Sequence, residues 1–305
     1  TGPAFPTGDT AQNPTINNVT AADAGNYVVY SVLNGCASMK PLPLNVYVKW
    51  LPGVATVTNN SPICSDKGYQ GNNVLTFTAS DTTGGVTYTW SGPNSFSASS
   101  SSKTQTITNP PMKDTGYYYV YATYKGCSSA PDSTHVTLKP TPPPPTLLPS
   151  SLTQYCQYDT TSMLIANGIG TISWYTVPSG GAALSSAPTP DATVPALNVW
   201  YVTQTVNGCE SQYAKDSSLV KAKPLAPNTA GSPYTYCQGD NAKPLLAIGV
   251  KLLWYNVPTG GTGSPVNPTP STNAAGTFDY YVSQTVNGCE SDRSHVVVTV
   301  RPKPV

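Results

Sequence analysis

The chain carries few charged residues. They occupy 10% of its 305 positions and leave a formal net charge of +1, whereas charged residues make up about 25% of a typical globular protein. Binding to phosphates or to an anionic lipid surface needs clustered Lys and Arg. No apolar run approaches the roughly 18 residues of a membrane-spanning helix. We therefore expect no nucleic-acid partner and no direct membrane insertion.

Residues that perform catalytic chemistry are equally scarce. The sequence has two histidines, His135 and His295, and only two glutamates, so general acid–base or nucleophilic catalysis lacks its usual parts. Gly180 and Gly181 are followed by alanines rather than by the Lys and Ser or Thr of a phosphate-binding loop. No two cysteines are near neighbours, which excludes a Cys-x-x-Cys metal site. We expect no enzymatic activity, no cofactor and no metal.

Small polar residues, glycine, proline and tyrosine are abundant instead. The chain has 25 Gly, 31 Pro and 20 Tyr, a composition that suits short strands joined by many turns. Apolar and polar residues alternate over 75–79 and again over 86–90, which is the period of a strand with one buried face. The sequence therefore predicts an all-β fold.

A unit of about 80 residues repeats in the second half of the chain. Residues 201–211 and 281–291 agree at ten of eleven positions. A looser version of the unit lies upstream, where Trp90 is followed by an Asp-x-Gly-x-Tyr pattern that ends at Tyr118. The same pattern also ends at Tyr27, with no Trp before it. The sequence therefore predicts three complete units and, at its start, one C-terminal half.

The predicted domain boundaries fall in or near proline-rich segments. Residues 1–48 would be the C-terminal half of a domain, 49–140, 141–223 and 224–301 three complete domains, and 302–305 the start of a further linker. Because its first unit is incomplete, we expect the chain to be a piece of a longer protein. Proline keeps linkers extended and stiff, so the domains are expected to form an elongated rod.

Six of the seven cysteines fall at two repeated positions, one early and one late in each complete unit. We predict that each disulfide joins the two positions of one unit, which pairs Cys64 with Cys127, Cys156 with Cys209, and Cys237 with Cys289. Cys36 has the late position of the half unit, so it is unpaired in this sequence and its partner is expected before residue 1. Such spacing in a polar, turn-rich chain favours an oxidising compartment.

Each unit is expected to be an immunoglobulin-like β-sandwich. Trp90, Trp174 and Trp254 hold the same phase in a strand-like run, so they are predicted core residues. The patterns that end at Tyr27 and Tyr118 match the tyrosine corner of this fold, which makes both tyrosines predicted core residues as well.

Three late cysteines follow an Asn-Gly pair, at 34–35, 207–208 and 287–288. Each pair lies between two strand-like runs. A two-residue type I′ turn needs positive φ at both central residues, which Asn and Gly adopt readily. The sequence therefore predicts that each of these cysteines begins the last strand of its unit.

Asp159 and Asp240 lie three residues after an early cysteine. They could contribute to a Ca²⁺ site between domains, or they could hold a turn. A Ca²⁺ site needs about six or more oxygen ligands, so the turn is the favoured interpretation.

The later units resemble the immunoglobulin-like repeats of giant cell-surface proteins from Bacteroidota. The residues that carry the resemblance are Tyr-Cys-Gln-Gly-Asp at 236–240, Leu-Trp-Tyr at 253–255 and the run over 280–291; Tyr158 departs from the glycine of the first motif. The earlier units resemble a sister repeat with a Trp-x-Gly-Pro element. The resemblance implies type IX secretion, an extracellular location at the cell surface and a relation to gliding-motility adhesins. Short Asp-Thr and Asp-Ser motifs resemble the O-glycosylation signal of the same phylum, at Thr10, Thr82, Ser133 and Thr160.

The function expected from these features is structural. Repeats, stiff linkers and disulfides together predict a stalk or filament segment of a large secreted adhesin, which extends and mechanically supports an adhesive region. Its partners would be other repeats of the same long chain. Two alternatives stay open, namely a module that binds cell-surface or environmental polysaccharide, and a subunit of a self-assembling filament. In the second alternative, a neighbouring chain would complete the half domain by adding strands to an open sheet edge.

Overall fold

The computed structural model of the chain describes residues 3, 10–40, 42–80, 83–149, 152–229 and 231–304. Its regular structure consists of β-strands and two short 3-10 turns, which confirms the all-β expectation. The chain divides into two compact units, Thr1–Thr141 with Asn207–Cys209, and Pro142–Val206 with Glu210–Val305. Within the described ranges, no helix has the length and apolar character needed to cross a membrane.

The first unit begins with a small set of strands after the 3-10 turn Ala21–Asp23. These strands are β1 (Gly25–Val29), β2 (Val32–Leu33), β3 (Cys36–Ala37) and β4 (Leu42–Val46). β1 pairs antiparallel with β4, and β2 pairs antiparallel with β3. Tyr27 on β1 is buried, and its hydroxyl donates a hydrogen bond to the Asp23 carbonyl at 2.7 Å. This bond from a tyrosine hydroxyl to the backbone a few residues upstream confirms the predicted tyrosine corner.

The rest of the first unit is a complete two-sheet sandwich. One sheet contains β5, β7 and β10, the other contains β8, β9, β11, β12 and β13, and β6 pairs in parallel with β14. The second 3-10 turn, Met112–Asp114, precedes β11. The strands are β5 (Thr56–Asn59), β6 (Ile63–Cys64), β7 (Val74–Ser80), β8 (Thr87–Ser91), β9 (Ser97–Ser100), β10 (Thr104–Thr108), β11 (Gly116–Tyr124), β12 (Cys127–Ser128), β13 (Asp132–Val136) and β14 (Leu138–Lys139).

The core of this sandwich is built from alternate residues of its strands, as the sequence pattern predicts. Phe77 from one sheet packs against Tyr118 from the other, with ring centroids 4.3 Å apart, and Trp90 is also buried. Tyr118 donates its hydroxyl hydrogen to the Asp114 carbonyl at 2.9 Å, which makes a second tyrosine corner. Burial, with a smaller contribution from the Asp114 charge, raises the pKa of Tyr118 to about 12.

The second unit contains two domains built on the same plan. The first has β15 (Thr146–Leu148), β16 (Thr153–Cys156), β17 (Ile165–Asn167), β18 (Thr171–Tyr175), β19 (Leu197–Val206), β20 (Cys209–Glu210) and β21 (Ala214–Lys221). The second has β22 (Tyr234–Cys237), β23 (Leu253–Tyr255), β24 (Gly276–Ser283), β25 (Thr285–Val286), β26 (Cys289–Glu290) and β27 (Ser294–Arg301). The main sheets run in the orders β16-β21-β19-β18 and β22-β27-β24-β23. We refer to the four sets of strands as the first to fourth domains.

The cores of the third and fourth domains differ in polarity. Trp174 and Trp254 are buried at equivalent places. Around Trp254, however, the fourth domain buries Val296 and Val298, whereas the third domain has Asp216 and Ser218 at the corresponding positions of its last strand. The third domain therefore folds around the less apolar interior.

One pairing recurs in all three complete domains and decides where the early cysteines lie. The short strand that ends in the early cysteine runs parallel to the last strand of its domain, as β6 with β14, β16 with β21, and β22 with β27. Two parallel strands place their carboxyl ends at the same edge of a sheet. The early cysteine consequently lies beside the C-terminal end of its own domain.

Candidate functional site: the cysteine hairpins and their sockets

The two disulfides of the structure join cysteines from different repeats. Cys64 is bonded to Cys209 and Cys156 to Cys289, with Cα–Cα distances of 5.6 Å in both. All seven cysteines lie in the described part of the chain, and the remaining three, Cys36, Cys127 and Cys237, are free thiols. The prediction that each disulfide joins the two cysteines of one repeat, with Cys127 and Cys237 among the bonded cysteines, is therefore wrong.

The register of the parallel strands gives the physical reason for this correction. Cys156 lies opposite Lys221, the last residue of β21, whereas Cys209 precedes the first residue of that strand. The eight residues of β21 span about 23 Å at a rise of about 3.3 Å per residue. A disulfide needs Cα atoms within about 7 Å of each other. The two cysteines of one domain therefore lie at opposite ends and cannot reach each other.

Each late cysteine is presented by a tight hairpin turn. Asn207 and Gly208 have φ angles of 52° and 81°, and Asn287 and Gly288 have 52° and 86°. Asn34 and Gly35 adopt the same geometry, with φ angles of 49° and 82°, so the predicted positive-φ turns are confirmed at all three Asn-Gly pairs.

The Lys-Gly pair before Cys127 forms the same turn, with φ angles of 47° and 84°, which the sequence reasoning did not foresee. We call these segments, 34–36, 125–127, 207–209 and 287–289, the cysteine hairpins.

Each early cysteine is matched by a basic residue on the neighbouring parallel strand. The register places Cys64 opposite Lys139, Cys156 opposite Lys221 and Cys237 opposite Arg301. We call each of these pairs a cysteine socket.

The socket at Cys156 holds its hairpin by more than the disulfide. Lys221 donates a hydrogen bond from Nζ to the Asn287 carbonyl oxygen at 2.9 Å, and the Gly288 carbonyl oxygen lies 3.8 Å from Cys156 Sγ. Lys223 and Asp292 form an ion pair with an Nζ–Oδ1 distance of 2.5 Å. The hairpin cysteine, Cys289, is 1% exposed, whereas its partner Cys156 is half-buried.

The socket at Cys64 repeats this arrangement within the first unit. Lys139 Nζ lies 3.5 Å from the Asn207 carbonyl oxygen, to which it donates, and the Gly208 carbonyl oxygen lies 3.7 Å from Cys64 Sγ. Cys209 is 0% exposed. The same contact set therefore occurs at two places in one chain.

Two glutamates fasten the occupied hairpins to their own sheets. Glu290, next to Cys289, accepts hydrogen bonds from the Ser283 hydroxyl at 2.5 Å and the Tyr255 hydroxyl at 2.7 Å. These bonds, the Ser283 bond first, hold the pKa of Glu290 below its usual value. Glu210, next to Cys209, accepts the equivalent bond from Tyr175 at 2.6 Å. Burial first, and this bond to Glu210 second, raise the pKa of the Tyr175 hydroxyl.

Sequence reasoning missed both the basic residues of the sockets and these glutamates. The signal was nonetheless present. Glu210 and Glu290 are the two glutamates of the whole sequence, and both follow a late cysteine. Lys or Arg likewise recurs at 139, 221 and 301, just before a proline-containing segment. Rare residues at a repeated position indicate a role tied to the repeat.

Comparison with known families assigns the third and fourth domains to a family. The family described as "Ig-like domain CHU_C associated" matches residues 142–220 and 224–302, together more than half of the chain. The chain belongs to this family of Ig-like domains. No curated protein matches the chain.

Solved structures with tandem immunoglobulin domains are also similar to this Ig-like chain. "Sidekick-1 immunoglobulin domains 1-5" is 16% identical, with a TM-score of 0.26, over 93% of this chain and 68% of that one. Domains A168–A170 of titin are 12% identical, with a TM-score of 0.29, over 82% and 100%. Murine CEACAM1b is 12% identical, with a TM-score of 0.25, over 55% and 99%. At these identities the similarity is limited to the fold.

Two of the other site residues proposed from the sequence, Asp159 and Asp240, lie next to the sockets at Cys156 and Cys237. Asp159 and Asp240 each accept a hydrogen bond from the backbone N–H of the preceding early cysteine at 2.7 Å, which is a turn role. Over the described residues, no group of three or more His, Cys, Asp or Glu side chains is placed to hold a metal ion. Glycosylation stays a prediction. Thr10, Ser133 and Thr160 are exposed, whereas Thr82 lies outside the described residues.

The first Ig-like domain exposes an apolar groove of about 830 Å³. Its lining includes Tyr27, Val29, Leu42 and Leu44, of which Val29 is 66% exposed and Leu42 71%. In the second domain, the corresponding sheet is covered by the sheet of β5, β7 and β10. The groove corresponds to the face that this second sheet covers in the second domain. That a further half sandwich covers it, from the same chain or from another, stays a prediction.

Proposed function

We propose that the chain is a structural stalk segment of a large secreted cell-surface adhesin, in which it extends and mechanically supports an adhesive region. The observation that carries the proposal is the disulfide pattern, because both bonds join successive repeats. A bond within one domain stabilises that domain alone. A bond from one domain to the next keeps the array covalently continuous even where a domain opens.

The two disulfide loops overlap, which limits how far the chain can be pulled out. The shortest covalent path from Cys64 to Cys289 crosses the first disulfide, returns along the chain from Cys209 to Cys156, and crosses the second. The return segment spans about 53 residues and reaches about 180 Å when fully extended, against about 225 residues and roughly 770 Å after reduction. This limited extension suits a force-bearing role.

Single-molecule pulling between residues 49 and 304 tests the proposal. We expect the oxidised chain to extend between Cys64 and Cys289 by no more than the short path allows, and the reduced chain to release the full length. The Cys237→Ser variant is the matched control, since it removes a cysteine that forms no disulfide and should leave the oxidised trace unchanged. Full-length release from the oxidised chain would contradict the proposed role of the disulfides.

The same bonds support an extracellular location. Disulfides persist in oxidising compartments and are rare in the cytosol, and Ig-like domains with two disulfides suit an extracellular protein. We propose attachment at the cell surface through other repeats of a longer chain. Export by type IX secretion and a link to gliding motility belong to this proposal as well.

Polysaccharide binding is a second candidate function, favoured by a row of tyrosines on β11. Tyr117 and Tyr119 are 58% and 46% exposed and lie on the same face of the strand, about 7 Å apart. Tyr117 also contacts His135, with ring centroids 4.8 Å apart. A glycan array with the full chain tests this function. A selective signal that disappears in Tyr117→Ala/Tyr119→Ala supports polysaccharide binding. An array without any selective signal leaves the stalk role as the only candidate function.

A further inference from the structure

The third socket, at Cys237, has the same construction as the two occupied ones. Cys237 donates its backbone N–H to Asp240 Oδ2 at 2.7 Å, as Cys156 does to Asp159. Gln238 donates its N–H to the Arg301 carbonyl at 2.8 Å, and Gln157 donates to the Lys221 carbonyl at the same distance. The backbone around Cys237 is therefore already in the conformation that holds a hairpin in the Cys156 socket.

The Cys237 socket differs from the other two in that its cysteine forms no disulfide. Cys237 is exposed and free, whereas the sulfurs of Cys64 and Cys156 are each bonded to a hairpin cysteine. Arg301 stands at the register position of Lys221. It carries five N–H donors, so it can donate to a hairpin carbonyl as Lys221 donates to that of Asn287.

The free hairpins provide the complementary half. The hairpin of Cys127 lies beside a lysine, because a Cβ added to Gly126 would be 3.8 Å from Lys49 Nζ, as one added to Gly288 would be 4.0 Å from Lys221 Nζ. The hairpin of Cys36 has the Asn-Gly turn of the occupied pair and an exposed, free cysteine. The chain thus contains an open socket and an open hairpin of matching chemistry.

We propose that the Cys237 socket binds an Asn-Gly-Cys type I′ hairpin of a further Ig-like repeat and forms a disulfide with its cysteine. The proposal deepens the stalk function and rests on it, since it extends the same junction from two sites to a third. Recognition has two parts, the covalent bond and the hydrogen bond from Arg301 to the carbonyl of the hairpin asparagine.

The covalent step needs an oxidant, which a small disulfide such as oxidised glutathione supplies. The Cys237 thiolate attacks one glutathione sulfur, the glutathione S–S bond breaks, and one glutathione thiol leaves. The hairpin thiolate then attacks Cys237 Sγ of this mixed disulfide, and the second glutathione leaves. Two protein thiols are oxidised to one disulfide while one glutathione disulfide is reduced to two thiols.

A second copy of the chain serves as the hairpin probe. In Cys36→Ser/Cys127→Ser only the Cys237 thiol remains free, and in Cys127→Ser/Cys237→Ser only the Cys36 thiol remains free. The two variants are mixed in a glutathione redox buffer, and the linked peptides are mapped by mass spectrometry without reduction. We expect a Cys36–Cys237 heterodimer in about tenfold excess over the Cys237–Cys237 homodimer, which corresponds to about 1.4 kcal/mol of selectivity.

Arg301→Glu in the Cys237-bearing variant tests the hydrogen-bonding half of the site. Placing a negative charge against the hairpin carbonyl should lower the heterodimer yield at least about threefold. Glutathionylation of Cys237 alone reports whether its thiol is still accessible. Equal yields of heterodimer and homodimer, or no response to Arg301→Glu, would overturn the proposal.

Mapping of the native protein separates the possible sources of the hairpin. A Cys237 peptide linked to residues 34–36 identifies a second copy, and one linked to an Asn-Gly-Cys peptide from outside this sequence identifies a further repeat. A free Cys237, or one linked to a cysteine outside a hairpin, overturns the inference. The stalk function fails on a different result, namely the absence of Cys64–Cys209 and Cys156–Cys289 from the same map.

Discussion

Buried polar residues weaken the third domain at positions where the fourth domain has valines. Ser218 is 0% exposed, and within the described chain its hydroxyl has no hydrogen-bond partner, as is also true of Asn198 Nδ2. The register that pairs Asn198 with Ser218 pairs Phe278 with Val298 in the fourth domain. An unpartnered buried hydroxyl costs about 1–3 kcal/mol.

Ser218→Val is therefore expected to stabilise the third domain by about 1–2 kcal/mol, because it removes the unpartnered hydroxyl and adds apolar surface to the core. Differential scanning calorimetry of the full chain measures the effect. The matched control is Val298→Ser, which should destabilise the fourth domain by a similar amount. A lower transition temperature for Ser218→Val would contradict this account of the core.

The lowered pKa of Glu290 predicts how the stability of the fourth domain changes at acid pH. Its pKa is lowered in the folded state, so the folded protein binds this proton less readily than the unfolded chain does. The stabilisation from the Glu290 carboxylate is then present above the unfolded pKa, near 4.5, and is lost as the pH falls through the lower folded value.

The Glu290→Gln variant should lose less stability than the parent between pH 6 and pH 3, because it has no carboxylate to protonate. Urea unfolding at several pH values measures the difference. Ser283→Ala, which removes the larger of the two hydrogen-bond contributions, should raise the folded pKa of Glu290 towards its unfolded value and so reduce the acid-dependent loss of stability. Parallel pH curves for the parent and Glu290→Gln would exclude the carboxylate as a source of acid sensitivity.

At the scale of elements, the parallel strand before each early cysteine determines the disulfide pairing. Sequence alone predicted the alternation of β7 and β8, the tyrosine corners and the Asn-Gly turns, because each depends on residues close together in the chain. The pairing of Cys156 depends instead on whether its strand runs parallel or antiparallel to β21, and nothing in the spacing of the cysteines determines that. Every early cysteine is equivalent in the sequence, so repeat periodicity cannot tell its own hairpin from the next one.

Single cysteine replacements distinguish the two pairings. Cys156→Ser and Cys289→Ser should lose stability equally, by up to about 5 kcal/mol for a loop that closes 133 residues in the chain-entropy model. Cys237→Ser should leave stability unchanged, since its thiol is free. Denaturant unfolding gives the comparison. Disulfides within single repeats would instead make Cys237→Ser lose as much stability as Cys289→Ser.

At the scale of the whole molecule, the third domain, which has a more polar core than the fourth, lies on the covalent path between the two disulfides. The return segment from Cys209 to Cys156 belongs to the third domain, whose core contains Asp216 and Ser218. Burial raises the pKa of Asp216, which is a further sign that this interior disfavours its charge. The third domain is therefore expected to open before the fourth, inside a loop that remains closed by two disulfides.

Hydrogen exchange of the oxidised chain should show this order. We expect amides of β21 to exchange faster than those of the equivalent strand β27, because opening of the third domain costs less free energy. Ser218→Val should slow the amide exchange of β21 and leave that of β27 unchanged. Equal protection of the two strands, or faster exchange in β27, would contradict a weaker third domain.

The opposite placement of the two cysteines in each domain gives every repeat a chemically distinct head and tail. A gene duplication that inserts one more repeat, or a recombination that deletes one, leaves each remaining tail facing a head of the same kind. Adding or removing one complete repeat therefore leaves one early and one late cysteine of the complete repeats unpaired, as Cys237 and Cys127 are here. Pairing inside each domain would have kept every repeat intact through such events, but it would have left neighbouring repeats without any covalent tie beyond the main chain.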